Sequence, residues 1–118
     1  MIGQGTMSKP RIRVLVVDDS AVVRQAVARA IGEAGDIELL ATAADPLFAM
    51  EKMQRAWPDV IILDIEMPRM DGLSFLRALM AKRPTPVIVC SSLATAGSDA
   101  LTQALAAGAF SVMSKPKL

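Results

Sequence analysis

The sequence predicts an α/β domain: a doubly wound, five-stranded parallel sheet with helices on both faces. Three observations predict it. Short runs rich in Val and Ile recur at 12–17, 37–43, 60–64, 87–91 and 110–113. Between them lie four stretches with apolar residues at helical spacing, each long enough for a crossover. Several runs are apolar without alternation, as in strands covered on both sides. Right-handed crossovers then give an open sheet whose ligand sites lie beyond the carboxyl ends of the strands.

Each element has its own signal. Ile12–Val17 is rich in β-branched residues and stops at Asp18-Asp19-Ser20. Ser20 caps a helix with Val23, Val27, Ala30, Ile31 and Ala34 on one stripe, and Gly35 is placed to end it. The run 37–43 is the most polar and reads as an edge strand. Asp45-Pro46 opens the second helix as cap and first residue, with Leu47, Met50, Met53 and Trp57 as its expected buried stripe and Pro58 beyond its end. Residues 60–64 are the most apolar and read as central. Asp71-Gly72 starts a helix carrying Leu73, Leu76, Leu79 and Met80. Residues 87–91 form the fourth strand. Ser98 caps a helix with Leu101, Ala104 and Leu105, Gly108 stops it, and 110–113 close the sheet before Lys115-Pro116.

Composition bounds the chemistry. The 118 residues suit one domain, and 53% hydrophobic against 21% charged is a globular balance. Residues 1–10, with a second methionine at Met7, read as a tail, and 11–118 as the domain. A net charge of +1 offers no basic footprint for nucleic acid or an anionic membrane surface. No apolar stretch approaches the 18 residues of a membrane span, and the start lacks the order of a signal peptide. Without histidine, Ser-His-Asp and Cys-His catalysis are excluded, and a zinc site is disfavoured. The lone Cys90 forbids an internal disulfide and fits the cytoplasm.

The strand ends collect the polar residues. Asp18 and Asp19 end the first strand and Asp64 the third. Ser91 and Ser92 end the fourth, and Lys115 follows the fifth. If the first and third strands are neighbours, about 4.8 Å apart, their carboxylates converge and repel. A hard cation removes that conflict, and an oxygen-only donor set suits Mg²⁺ beside a phosphate. An Asp can itself be the nucleophile, with a lysine steadying the phosphoryl oxygens. Taken singly, each residue has a plainer role: a strand-end Asp turns the chain, Ser91 bonds its own backbone, Lys115 is solvated, and Glu66 and Asp71 are loop residues. Their joint placement at one sheet edge favours a Mg²⁺-dependent phospho-accepting aspartate.

These residues, Val16–Ser20, Leu63-Asp64, Met67–Gly72, Ser91 and Lys115-Pro116, resemble the receiver domain of two-component response regulators over residues 11–117. The resemblance implies a flavodoxin-like strand order 2-1-3-4-5, with Asp64 phosphorylated. It implies Mg²⁺ held by Asp19, Asp64 and the Glu66 carbonyl, with Asp18 assisting through water. Ser91 and Lys115 would contact the phosphoryl oxygens, and Lys115-Pro116 would be cis. Asp36–Pro46, Cys90–Leu93 and Lys115–Leu118 are similar to the regulatory domain of chemotaxis protein-glutamate methylesterases. That implies a chemotaxis histidine kinase as donor and a C-terminal methylesterase domain as the regulated partner, acting on receptor glutamates and glutamines. The chain itself carries only autophosphorylation chemistry.

Two departures stand out. Receivers commonly carry Tyr or Phe three residues before the lysine; here Val112 stands there, and Phe110 shares its strand parity. A receiver also has a fifth helix after Lys-Pro, whereas this sequence reaches only Leu118. The sheet face beside the first helix is therefore expected to be bare, favouring self-association through Val23, Val27 and Phe110. A receiver of another response regulator, or a stand-alone chemotaxis receiver, is the alternative. A flavin or nucleotide carrier of similar architecture is disfavoured, because Asp18-Asp19-Ser20 replaces the Gly-rich phosphate loop.

Overall fold

The computed structural model describes residues 10–66, 71–92 and 99–115. Its elements are β1 (Ile12–Val17), α1 (Ala21–Glu33), β2 (Ile37–Ala43), α2 (Pro46–Arg55), β3 (Val60–Leu63), α3 (Gly72–Lys82), β4 (Val87–Ser91), α4 (Asp99–Ala106) and β5 (Ser111–Ser114). All strand pairs are parallel, and the order is β2-β1-β3-β4-β5. The polar β2 is indeed an edge and β3 the centre. The register between β1 and β2 slips after Val14, so that Val14 faces Leu39 and Leu15 faces Ala41.

Strand periodicity divides the core in two. Leu15, Val17, Ile61, Leu63, Val87 and Val89 pack with Ala49 and Met53 of α2, Leu76 and Leu79 of α3 and Ala104 of α4. Val14 and Val16 point the other way and pack with Ile31 and Val27 of α1. Among the described residues, α1 is the one helix in that second cluster. Beside it lies an apolar groove of about 320 Å³, lined by Val27, Ala30, Ile31, Ile62, Cys90 and Met113. Among the described residues the groove is open beside α1, and it is not built from the expected contact residues: Val23 is buried and Phe110 does not line it.

Capping explains the helix starts. Ser20 Oγ accepts from the Val23 N–H at 3.3 Å, Asp45 Oδ1 from Phe48 at 3.0 Å, and Asp71 Oδ1 from Leu73 at 3.0 Å. Each satisfies a first-turn donor that has no partner inside its helix. Gly35 is not a left-handed cap; α1 ends through an extended Ala34 whose N–H reaches Ile31. Gly108 does terminate α4 with φ of 111°. Its missing Cβ matters, since one would lie 2.7 Å from Met80 Cγ.

Several expected core positions are wrong. In α2 the buried residues are Pro46, Ala49 and Met53, while Leu47 and Met50 are exposed. Ala30 is exposed in α1, and Leu105 in α4, where Ala104 is buried. Phe75, absent from the expected α3 stripe, is buried. β5 begins at Ser111, and Phe110 lies outside it, 79% exposed. Val112 packs against the α2–α4 side of the core. The Ser98 cap, the Met67–Met70 part of the motif, Leu93, the tail 1–9 and the Lys115-Pro116 bond with the residues after it lie outside the described residues.

Candidate functional site

Backbone pairing brings the acidic residues together. Val17 of β1 sits opposite Leu63 of β3, so the next residue on each strand is an aspartate. The Asp64 N–H donates to the Val17 carbonyl at 2.9 Å and the Asp18 N–H to the Ala43 carbonyl at 3.0 Å. These bonds extend the ladder past the last apolar pair and hold both residues at the carboxyl edge. Asp18 and Asp64 are buried, and Asp19 is exposed.

Each buried carboxylate is held twice. Asp18 Oδ1 accepts from the Ser20 N–H at 2.8 Å, and Asp64 Oδ1 from the Glu66 N–H at 2.8 Å. The other oxygen of each faces Lys115. Its Nζ lies 3.2 Å from Asp64 Oδ2 and 3.7 Å from Asp18 Oδ2. The Lys115 N–H donates to the Ser91 carbonyl at 3.3 Å, which anchors the lysine backbone at the end of β4.

Ionisation follows from this setting. Burial pushes both Asp18 and Asp64 above the ordinary carboxylate range; the Asp19 charge adds to the rise at Asp18, and the Asp18 charge to that at Asp64. Backbone N–H donors and Lys115 oppose the rise without cancelling it. Burial alone would lower the Lys115 pKa, but the hydrogen bond and charge of Asp64, with Asp18 and Glu66, carry it above its usual value. The ammonium is thus charged at neutral pH. Burial likewise raises the Cys90 thiol, which leaves it a protonated core residue.

One carboxylate oxygen from each of Asp18, Asp19 and Asp64 lies within 4.8 Å of the others. Three hard oxygen donors around one point, two of them buried, fit a divalent cation such as Mg²⁺. The arrangement can therefore neutralise an anion delivered at Asp64 with a cation on one side and Lys115 on the other.

The expected site residues Asp18, Asp19, Asp64 and Lys115 converge, and Ser91 joins them through Glu66. Its hydroxyl donates to Glu66 Oε1, and Ser92 Oγ donates to Glu66 Oε2 at 2.7 Å. Two contributions were not read from the sequence. One is the Glu66 side chain, whose position two residues after Asp64 was the available signal. The other is Arg24, whose guanidinium donates to the Asp18 carbonyl at 2.6 Å from the first turn of α1; its place one turn past the Ser20 cap was the signal.

A family model for the response regulator receiver domain matches residues 14–117. The chain belongs to the response regulator receiver domain family. This receiver is 59% identical over 103 residues to protein-glutamate methylesterase/protein-glutamine glutaminase 1 of Xanthomonas oryzae pv. oryzae, covering 87% of this chain and 29% of that protein. It is 54% identical over 110 residues to protein-glutamate methylesterase/protein-glutamine glutaminase 2 of Pseudomonas syringae pv. tomato, covering 93% and 31%. The chain thus spans less than a third of the length of these relatives. Among solved structures, the response regulator domain of Thermotoga maritima CheB superposes with a TM-score of 0.84 at 43% identity, over 90% of this chain and 79% of that one. A complex of the P1 domain of CheA3 with CheY6 from R. sphaeroides gives 0.80 at 36%, over 92% and 85%. The receiver is therefore similar to those of the methylesterase/glutaminase relatives and of CheB, and its flavodoxin-like strand order is that of the family.

Proposed function

We propose that this receiver accepts a phosphoryl group on Asp64 from the phosphohistidine of a chemotaxis histidine kinase, and that the phosphorylated form regulates a protein-glutamate methylesterase. The observation that carries the reading is Lys115 Nζ seated 3.2 Å from Asp64 Oδ2, beside the Asp18–Asp19 pair. In this reading residues 11–118 form the receiver and 1–10 a tail.

An Asp64 carboxylate oxygen attacks phosphorus in line. The new O–P bond forms as the P–N bond to the donor imidazole breaks, and the departing nitrogen keeps the electron pair. Mg²⁺, when bound, supplies positive charge to the phosphoryl oxygens and relieves repulsion within the carboxylate cluster. Asp19 and Asp64, the Glu66 carbonyl and, through water, Asp18 would hold it. Lys115 exchanges its contact with Asp64 for one with a phosphoryl oxygen, and the Ser91 hydroxyl donates to another. The backbone N–H of Glu66 keeps Asp64 Oδ1 fixed and so orients the nucleophile.

Partners follow from the relatives. The CheA3 P1–CheY6 complex supports a kinase histidine domain as donor. The methylesterase relatives support a C-terminal methylesterase domain as the regulated partner, acting on receptor glutamates and glutamines in the cytoplasm. The identity to methylesterases favours this output over another response regulator or a stand-alone receiver. The groove beside α1 favours one further contact, self-association through Val27, Ala30 and Met113.

Mass spectrometry after treatment with acetyl phosphate and Mg²⁺ tests the site. One hydroxylamine-labile phosphoryl group on Asp64 is expected, strongly reduced when Mg²⁺ is withheld. Labelling that persists in Asp64→Ala would overturn the assignment.

A further inference from the structure

We propose that the Glu66 side chain is a latch on the phospho-acceptor site: its carboxylate holds the Ser91 and Ser92 hydroxyls in the resting receiver, and the phosphoryl group must take Ser91 from it. The inference rests on the phospho-acceptor reading above and adds a competitor inside that site.

Glu66 is fastened at both ends. Its N–H donates to Asp64 Oδ1 at 2.8 Å, and its two carboxylate oxygens each receive a serine hydroxyl from the end of β4. A hydroxyl has one proton to give. While Ser91 donates to Glu66, that proton cannot reach a phosphoryl oxygen on Asp64. Ser91 is fully buried, and its carbonyl accepts the Lys115 N–H, so its backbone is held in place. The exchange therefore needs a turn of the side chain, not of the strand. Both acceptors are anionic, so Ser91 trades one charge-assisted bond for another, and the trade sets how readily the site closes on its phosphoryl group. Releasing Ser91 also removes one of the contacts by which Glu66 holds the end of β4, while Ser92 still donates to Oε2.

The test uses beryllofluoride with Mg²⁺, a phosphoryl mimic, and reads its affinity by NMR titration. Glu66→Ala removes the competitor and should tighten binding roughly three- to tenfold, as for partial loss of a bond to a charged acceptor. Glu66→Gln keeps one acceptor oxygen and should fall between. In a Ser91→Ala background the same Glu66→Ala change should alter affinity by less than about twofold, because no hydroxyl remains to compete for. A full gain in that background would mean relief of charge repulsion alone and would overturn the latch. So would unchanged or weaker binding in both Glu66 variants. A second readout needs neither metal nor mimic. Ser91 Hα–Hβ couplings should change between the wild type and Glu66→Ala as the hydroxyl turns to another acceptor; unchanged couplings overturn the proposal. A wild type that binds no beryllofluoride overturns the phospho-acceptor reading and the latch together, whereas equal binding by wild type and Glu66→Ala overturns the latch alone.

Discussion

Asp64 and Asp18 are buried, with carboxyls that hold protons more tightly than in an unfolded chain. Native stability therefore gains from their protonation and loses that gain as pH rises through the raised folded values. Without metal, the urea midpoint should rise as pH falls from the raised folded values toward the ordinary carboxylate range. Mg²⁺ at neutral pH should restore stability, by about 1.4 kcal/mol at ten times its dissociation constant. A metal-free protein steadily more stable toward pH 7 would contradict this. Single substitutions separate the roles. Asp19→Ala should lose Mg²⁺ binding; Lys115→Ala should keep it but fail to respond to phosphorylation. Normal Mg²⁺ affinity in Asp19→Ala, measured by calorimetry, would remove Asp19 from the ligand set.

At the scale of elements, α3 is seated against the acceptor itself. A Cβ on Gly72 would lie 2.6 Å from Ile65 Cα and 2.8 Å from the Asp64 carbonyl. Both are backbone atoms, so the helix must retreat rather than a side chain yield. Gly72→Ala should cost about 1–3 kcal/mol and slow labelling of Asp64, measured by thermal melting and mass spectrometry. Unchanged stability and labelling would show that α3 is not docked this closely. At the far end of β3, Trp57 Nε1 donates to Thr85 Oγ1 at 2.9 Å, and the Arg83 guanidinium stacks 4.0 Å from the ring centroid. Thr85 is buried and in turn donates to the Arg83 carbonyl at 3.0 Å. Thr85→Val leaves both partners short of a bond and should destabilise by about 1–3 kcal/mol in urea unfolding. Since β3 separates Trp57 from Asp64, Mg²⁺ should leave its fluorescence nearly unchanged; a large quench would refute that placement.

Across the whole molecule, the sheet is covered unevenly. Three helices pack on one face, and among the described residues α1 alone packs on the other. Met113 is 47% exposed beside the groove, and Ile62 is only partly buried despite lying on the central strand. Exposed apolar area contributes roughly 25 cal/mol per Å² when covered, so even a modest contact there is favourable. The 118-residue chain should therefore self-associate at high micromolar concentration, and Met113→Lys should reduce the association. Sedimentation showing a stable monomer would rule this out.

Strand and helix order, the central and edge strands and the convergence of Asp18, Asp64 and Lys115 were all legible in the sequence. Each depends on local patterning or on a rule that places strand ends on one edge. The buried stripe of α2 was not. Leu47 and Met50 carry the helical spacing, yet Ala49 and Met53 face the sheet, because the start at Pro46 and the docking angle set the helix rotation. The end of β4 shows the same division. Sequence placed Ser91 and Ser92 there and Glu66 beyond Asp64, 25 residues earlier than Ser91. Only the parallel pairing of β3 with β4 brings that carboxylate to both hydroxyls. Side-chain partners across strands depend on register and rotamer, and those are set by the packed molecule as a whole.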